Sequence, residues 1–240
     1  MRIGIVGDVH GRDLGPVQER FRAERVDQGI CLGDFDRAHI ARQMMEMQRQ
    51  DGWYVVPGNH DFSHVDKVVI HSGTMSNQGI DSGMMWREWD LPANSDVREY
   101  VCGLLTNKCK LEGGARRIAF PLDGNADCMT VIMHGAYAGD YQGEPADLWT
   151  RLQQPCDHAK NFDVMERKGY RMMIRGHDHD PVYTYKDPVK GVVSYDGGDG
   201  KAFNLFKNRM HTINPGAYFS GNFAVIDTAG ENPVLTYHKL

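Results

Sequence analysis

The sequence predicts an α/β fold in four layers, an α-β-β-α sandwich of two mixed sheets flanked by helices. Three observations carry this expectation. The first sixty residues alternate short apolar runs with helix-like stretches, the pattern of βαβ units. The stretch from 181 to 239 reads instead as short strands separated by turns. At 240 residues the chain can also bury a sizeable core unaided, because the hidden fraction of surface rises with length.

Taken in order, residues 2–6 form a short apolar run, read as a buried strand. Residues 14–24 follow as a helix, and 26–32 as a second strand ending at Gly33-Asp34. A helix over 38–50 leads to a third strand, Trp53–Val56, which stops at Pro57-Gly58. Residues 62–100 hold Gly73, Gly79, Gly83 and Pro92 with an aromatic patch at Trp86 and Trp89, and read as a helix or two with long loops. Strands are expected at 99–105, 115–121 and 128–133. The irregular stretch 135–155 carries a short helix after Pro145, since proline suits the first helical turn. A helix over 158–168 and a strand over 170–175 come next. Successive hairpins are then expected from Val182–Tyr185, Val192–Tyr195, Ala202–Phe206, His211–Asn214, Phe223–Asp227 and Leu235–His238, with a turn at Asp196–Gly200. We expect one domain over 1–240, with substrate-selecting insertions at about 62–100 and 135–157.

Composition narrows the function. The chain is 41% hydrophobic and 25% charged, the balance of a soluble globular protein. Its net charge of −5 and lack of a basic run disfavour long nucleic acids, which attract basic faces. Five cysteines with no C-x-x-C pair suit a reducing compartment rather than a disulfide framework. The apolar start is too short for a signal segment or a membrane span, so a cytoplasmic protein without a membrane partner is expected.

Five short clusters fall where apolar strands stop: Asp8-Val9-His10, Gly33-Asp34, Gly58-Asn59-His60-Asp61, His134-Gly135 and Gly176-His177-Asp178-His179. Ligands of open α/β sheets collect at the carboxyl ends of strands, so these clusters share one rim. The rim holds Asp8, Asp34 and Asn59 with His10, His134, His177 and His179. That set supplies two divalent metals with four protein ligands each if one carboxylate bridges. Mixed imidazole and carboxylate donors suit manganese first, with iron, zinc or nickel as alternatives, over calcium or magnesium. The absence of cysteine ligands indicates a catalytic rather than a structural site. Two metals about 3.5–4 Å apart clamp the attacking and leaving oxygens of an in-line displacement and make hydroxide available between them near neutral pH. With two divalent ions, two aspartates and one hydroxide the site carries about +1, which attracts a phosphate to an acidic protein.

The pattern D-x-H, G-D, G-N-H-D, H, G-H-x-H, in this order over residues 8 to 179, resembles the calcineurin-like metallophosphoesterase superfamily. Asn214-Pro215-Gly216 resembles a further family segment. The resemblance implies metal-dependent hydrolysis of a phosphomonoester or phosphodiester of a small organic phosphate or nucleotide. It further implies one metal held by Asp8, His10, Asp34 and His179, and a second by Asp34, Asn59, His134 and His177. His60 would stabilise charge on the substrate or protonate the leaving oxygen, with Asp61 orienting its imidazole.

There are departures. The family often has G-D-x-x-D, whereas Asp36 stands one place early, so the supporting role of that second aspartate is not carried over. Ala217 replaces the serine of a related Asn-Pro-Gly-Ser segment. Arg12, Arg37, Arg175 and His64 lie near motifs, and Tyr137, Tyr141 and Trp149 are placed to overhang the rim. The alternatives are a nuclease of the same chemistry, which the net charge does not promise, and a protein-binding scaffold on this fold. A scaffold would tolerate altered ligands, and here none is missing.

Overall fold

The structure, a computed structural model, describes residues 1–66, 88–124, 126–138 and 146–240. Two six-stranded mixed sheets pack face to face. The first contains β1 (Arg2–Val6), β2 (Gln28–Cys31), β3 (Tyr54–Val55), β9 (Ala202–Asn204), β11 (Asn222–Asp227) and β12 (Val234–Lys239), in the order β3-β2-β1-β11-β12-β9. The second contains β4 (Ile118–Pro121), β5 (Met129–Ile132), β6 (Met172–Ile174), β7 (Pro181–Asp187), β8 (Gly191–Asp196) and β10 (Met210–Pro215), in the order β4-β5-β6-β10-β7-β8. Strands β1, β2 and β3 run parallel, as do β5, β6 and β10, while β11 lies antiparallel on β1 and β7 antiparallel on β10.

The four layers follow from strand alternation. Ile3 and Ile5, Ile30 and Leu32, Ile132, Ile174, Ile213 and Ile226 point between the sheets and form the central core. The intervening Val6, Cys31 and Val225 face helices on one outer side, and Val131, Met133 and Met173 face a helix on the other. Both faces of the parallel strands are therefore covered, which explains their nearly continuous apolar sequences. The first outer layer is α1 (Gly15–Ala23), α2 (Ala38–Asp51) and α4 (Ser95–Thr106), and the second is α6 (Pro155–Arg167). Helix α3 (Asn59–Asp66) and the short α5 (Ala146–Trp149) flank the strand ends. Gly4 fits under Phe21 so closely that a Cβ there would lie 2.5 Å from the ring, which fixes α1 on the sheet.

Two sequence expectations are corrected. The strand expected at 99–105 is α4: Val97, Tyr100, Val101 and Leu104 recur at helical spacing and are buried, and Asn107 closes the helix in a left-handed conformation. The β-branched and aromatic residues in that run outweighed their period. The late strands are also not successive hairpins. Hairpins form for β7–β8 and β11–β12, but β9 pairs with β12 in the other sheet and β10 inserts between β6 and β7. The turn at Asp196–Gly200 thus carries the chain between sheets, and a Cβ on Gly197 would lie 2.8 Å from both Pro181 and Tyr237. The helix content expected within 67–87, including the patch at Trp86, lies outside the described residues. Trp89 is buried, with its indole N–H 3.4 Å from the Asp36 carbonyl.

His211 on β10 is buried and neutral: Nε2–H donates to the Phe206 carbonyl at 2.9 Å and Nδ1 accepts from the Tyr183 hydroxyl at 3.0 Å. Burial holds its pKa down to about 4. Because this is below the ordinary 6.5, its contribution is fully present above pH about 6.5 and is lost as pH falls toward 4. Between pH 7 and 5, wild type should lose about 2 kcal/mol more unfolding free energy than His211→Gln, read by urea unfolding. Parallel pH profiles for the two proteins would contradict this.

Candidate metal centre

The carboxyl ends of β1, β2, β3, β5 and β6 meet at one rim, and the loops that leave them carry all the expected donors. Asp8 and His10 follow β1, and Asp34 follows β2. Asn59 and His60 open α3 just beyond β3, His134 follows β5, and His177 and His179 follow β6. In three of these loops alternate residues have positive φ: Asp8 and His10 (51° and 46°), Asp34 and Asp36 (58° and 61°), His177 and His179 (74° and 66°). Aspartate and histidine are among the non-glycine types that tolerate this region. The residue between turns away: Val9 and Phe35 are fully buried in the core beneath α1 and α2.

Hydrogen bonds tie the loops to one another. Val9, His10 and Gly11 donate their N–H groups to the carbonyls of Gly33, Asp34 and Phe35. The N–H of His177 donates to Asp8, and that of His60 donates to Asp34 Oδ1 at 2.9 Å. A Cβ at Gly58 would stand 1.9 Å from Asp34 Oδ1, so only glycine lets β3's loop close over this carboxylate.

The donor atoms converge in two overlapping groups. In the first, His10 Nε2 lies 3.2 Å from His179 Nε2 and 3.7 Å from Asp34 Oδ2, and His179 Nε2 lies 3.5 Å from Asp8 Oδ1. In the second, His134 Nε2 lies 2.9 Å from Asn59 Oδ1, 3.3 Å from Asp34 Oδ2 and 3.9 Å from Asp8 Oδ1. His177 packs beside this group, its ring centroid 5.2 Å from that of His134. A cation bonded at about 2.0–2.2 Å to each donor sets neighbouring donors about 3–3.6 Å apart, and the spacings here, 2.9 to 3.9 Å, bracket that range. Asp34 Oδ2 lies near both groups, and so does Asp8 Oδ1, which places a carboxylate between them.

Tautomers argue the same way. His134 Nδ1–H donates to the Leu32 carbonyl at 2.6 Å, and His10 Nδ1–H donates to Asp36 Oδ2 at 2.8 Å. Each bond leaves Nε2 facing oxygens or another imidazole, an arrangement that needs a proton or a metal between them. For the chain alone a proton serves. Burial lowers the His134 pKa, but the Asp34 and Asp8 carboxylates outweigh it and raise it to about 9. His60 is likewise raised to about 10 by Asp34 and Asp36 against burial. Burial and the neighbouring His134 push His177 well below its ordinary value, and burial also lowers His179. Those two imidazoles are neutral and ready to coordinate.

The carboxylate that meets the His60 imidazole is Asp36, whose Oδ1 lies 2.7 Å from His60 Nδ1. Asp61, expected in that role, accepts from the backbone N–H groups of Asp34, Phe35 and Gly58 and so holds the β2 and β3 loops together. The signal for Asp36 was present: D-x-D matches the alternate spacing of D-x-H and H-x-H. Sequence reading also missed Arg151, whose Nε is 3.4 Å from His177 Nε2. Arg12 donates to the carbonyls of Tyr218 and Phe219, Arg37 pairs with Glu88 at 3.5 Å, and Arg175 pairs with Asp178. Tyr137 does not overhang the rim but stacks on Tyr170 against the α6 side. The side chain of His64, and Tyr141, lie outside the described residues.

A family model described as the calcineurin-like phosphoesterase superfamily domain matches residues 1–228. Among solved structures, a metallophosphoesterase from Sphaerobacter thermophilus is 20% identical, with a TM-score of 0.70 over all of this chain and 88% of that one. A hypothetical protein from Pyrococcus horikoshii is 11% identical, with a TM-score of 0.59 over all of this chain and 87% of that one. At these identities the two likenesses are of fold. Among curated proteins there is no match.

Asp36→Ala should weaken manganese binding about 10- to 100-fold by releasing His10, measured by competition with a fluorescent chelator. In excess chelator, stability from the protonated His134 should be fully present below pH about 6.5 and lost as pH rises through about 9. Saturating manganese should flatten that slope in a thermal-unfolding series, and an unaltered slope would contradict the assigned donors.

Proposed function

Because the chain belongs to the calcineurin-like phosphoesterase superfamily, and is a hydrolase of phosphoester bonds in a metal-dependent family, we propose a two-metal centre acting on a small phosphorylated substrate. Asp8, His10, Asp34 and His179 would hold one divalent ion, and Asp34, Asn59, His134 and His177 the other. Manganese is favoured, with iron, zinc or nickel accommodated by the same donors. The observation that supports this is the convergence of the two donor groups on the Asp34 and Asp8 carboxylates, with Asp34 Oδ2 3.7 Å from His10 Nε2 and 3.3 Å from His134 Nε2 and Asp8 common to both sets of possible ligands. Such a pair of ions supplies positive charge to the phosphoryl oxygens and lowers the pKa of water.

The chain's own residues do the rest. His60, held at Nδ1 by Asp36 and partly open to solvent, donates a proton to the leaving oxygen as the bond from phosphorus to that oxygen breaks. Water adds to phosphorus in the same displacement, so the products are an alcohol and a phosphate bearing one ester fewer. Asp36 positions His60 and His10 together, which aligns the proton donor with the donor groups. Within a single domain, parts of segments 62–100 and 135–157 would contribute to selection of the leaving group. The free cysteines Cys31, Cys102, Cys109, Cys128 and Cys156 support a cytoplasmic setting. Among the described residues, no helix is long and apolar enough to cross a membrane.

Hydrolysis of p-nitrophenyl phosphate and bis-p-nitrophenyl phosphate should require manganese, nickel or zinc and stop with chelator, and the preferred ester separates monoesterase from diesterase. His60→Ala should lower kcat about 10²- to 10⁴-fold while metal content is retained. Full metal-dependent turnover in Asp34→Asn or His134→Ala would sink the assigned centre.

A further inference from the structure

Most candidate donors of the centre are buried, so a substrate reaches them from the side where side chains remain open. Among the described residues at that side, His179 has 36% of its side chain exposed and His60 17%, and Phe219, 37% exposed, stands beside His179. The Phe219 ring meets His10 and His179 nearly edge-on, with centroids 5.1 and 5.4 Å apart and interplanar angles of 79° and 80°. An apolar ring thus stands upright beside imidazoles from the first donor group.

Its position is fixed by the same backbone that fixes the donors. Ala217 N–H donates to the His179 carbonyl at 2.8 Å, Tyr218 N–H to Gly7 at 2.8 Å and Phe219 N–H to Asp8 at 3.3 Å. Tyr218 is fully buried and its hydroxyl donates to the Asp13 carbonyl at 2.8 Å. Arg12 reaches both the Tyr218 and Phe219 carbonyls and lies over the Tyr218 ring. Gly221, at φ 93°, ends the turn in a conformation suited to glycine. A ring carried on a backbone fixed in this way and packed against two imidazoles meets a ligand with a reduced ordering cost on binding.

We propose that Phe219 is a specificity-determining residue, a platform on which the leaving group of the preferred phosphoester stacks through a planar aromatic ring. This rests on the two-metal reading for the position of the phosphoryl group; Phe219 adds what that group is attached to. Stacking of a planar ring on an aromatic side chain is worth about tenfold or more in affinity, and it requires a flat ring rather than any particular hydrogen-bonding edge.

The test compares aryl and alkyl esters of the same phosphate class in manganese-loaded wild type, Phe219→Ala and Phe219→Trp. Phe219→Ala should lower the aryl-to-alkyl ratio of kcat/KM about tenfold, with the change in KM rather than kcat, and Phe219→Trp should restore the ratio. Calorimetric titration with phenylphosphonate and inorganic phosphate reads the same preference without turnover, and their affinity ratio should fall by a similar factor in Phe219→Ala. A wild type that hydrolyses no ester but keeps this binding preference speaks against the two-metal reading and leaves the platform standing. Equal effects on both members of each pair, no effect on either, or failure of wild type to bind phenylphosphonate would overturn the platform.

Discussion

In the loops after β1, β2 and β6 the backbone enters the left-handed region at alternate residues, and the placement of Asp8, His10, Asp34, His177 and His179 depends on this. Residues at i and i+2 both turn toward the centre, while the residue between turns away, Val9 and Phe35 into the core and Asp178 to its ion pair with Arg175. Each such residue costs about 1–2 kcal/mol relative to ordinary backbone. Three pairs together approach the stability of a whole domain. The strain is offset locally. Asp61 accepts from three backbone N–H groups, and Asp8 and Asp34 accept from the backbones of His177 and His60. Bonds to charged acceptors are worth about 1.5–3 kcal/mol each. The carboxylates therefore serve as backbone clamps, and Asp8 and Asp34 would do so beside their proposed role as ligands, so removing one loosens the geometry of the whole donor set.

Asp36 links the two tasks of the centre. One oxygen faces His10, which belongs to the first donor group, and the other faces His60. The two rings also touch, with centroids 4.7 Å apart. A carboxylate shared in this way makes the imidazoles compete for its charge. A cation on His10 Nε2 would make its Nδ1–H a stronger donor to Asp36 and leave less of that carboxylate's charge for His60. Occupancy of the donor group and basicity of the proton donor are therefore coupled through a single side chain.

Much of this was legible in the sequence. Apolar runs ending in Asp, His and Asn located the five clusters, because parallel strands buried on both faces leave their polar residues at the ends. The sandwich followed from the change of pattern between the two halves of the chain. What could not be read was pairing between distant segments. Nothing local in Ala202–Asn204 says that β9 crosses to the other sheet, since its partner β12 supplies that information. The Tyr100-Val101-Cys102 run looks like a strand until α2 packs against its helical face. Asp36 was misjudged because its spacing was compared with a consensus, whereas the left-handed alternation that gives it reach is a property of the backbone.

Strand β1 sits in the interior of its sheet, flanked on one side by β2 and on the other by β11, which lies near the far end of the chain. While the polypeptide emerges from the ribosome, β1 thus keeps an open edge until residues 222–227 have been made. Asp8 and the backbone of His177, 169 positions apart, can meet only once the loop after β6 has also been made. Assembly of this kind is slow and exposes unpaired strand edges to neighbouring chains. Nascent fragments carry the early aspartates and histidines but lack the frame that brings them together. The proposed ion capture would accordingly follow assembly of that frame rather than precede it.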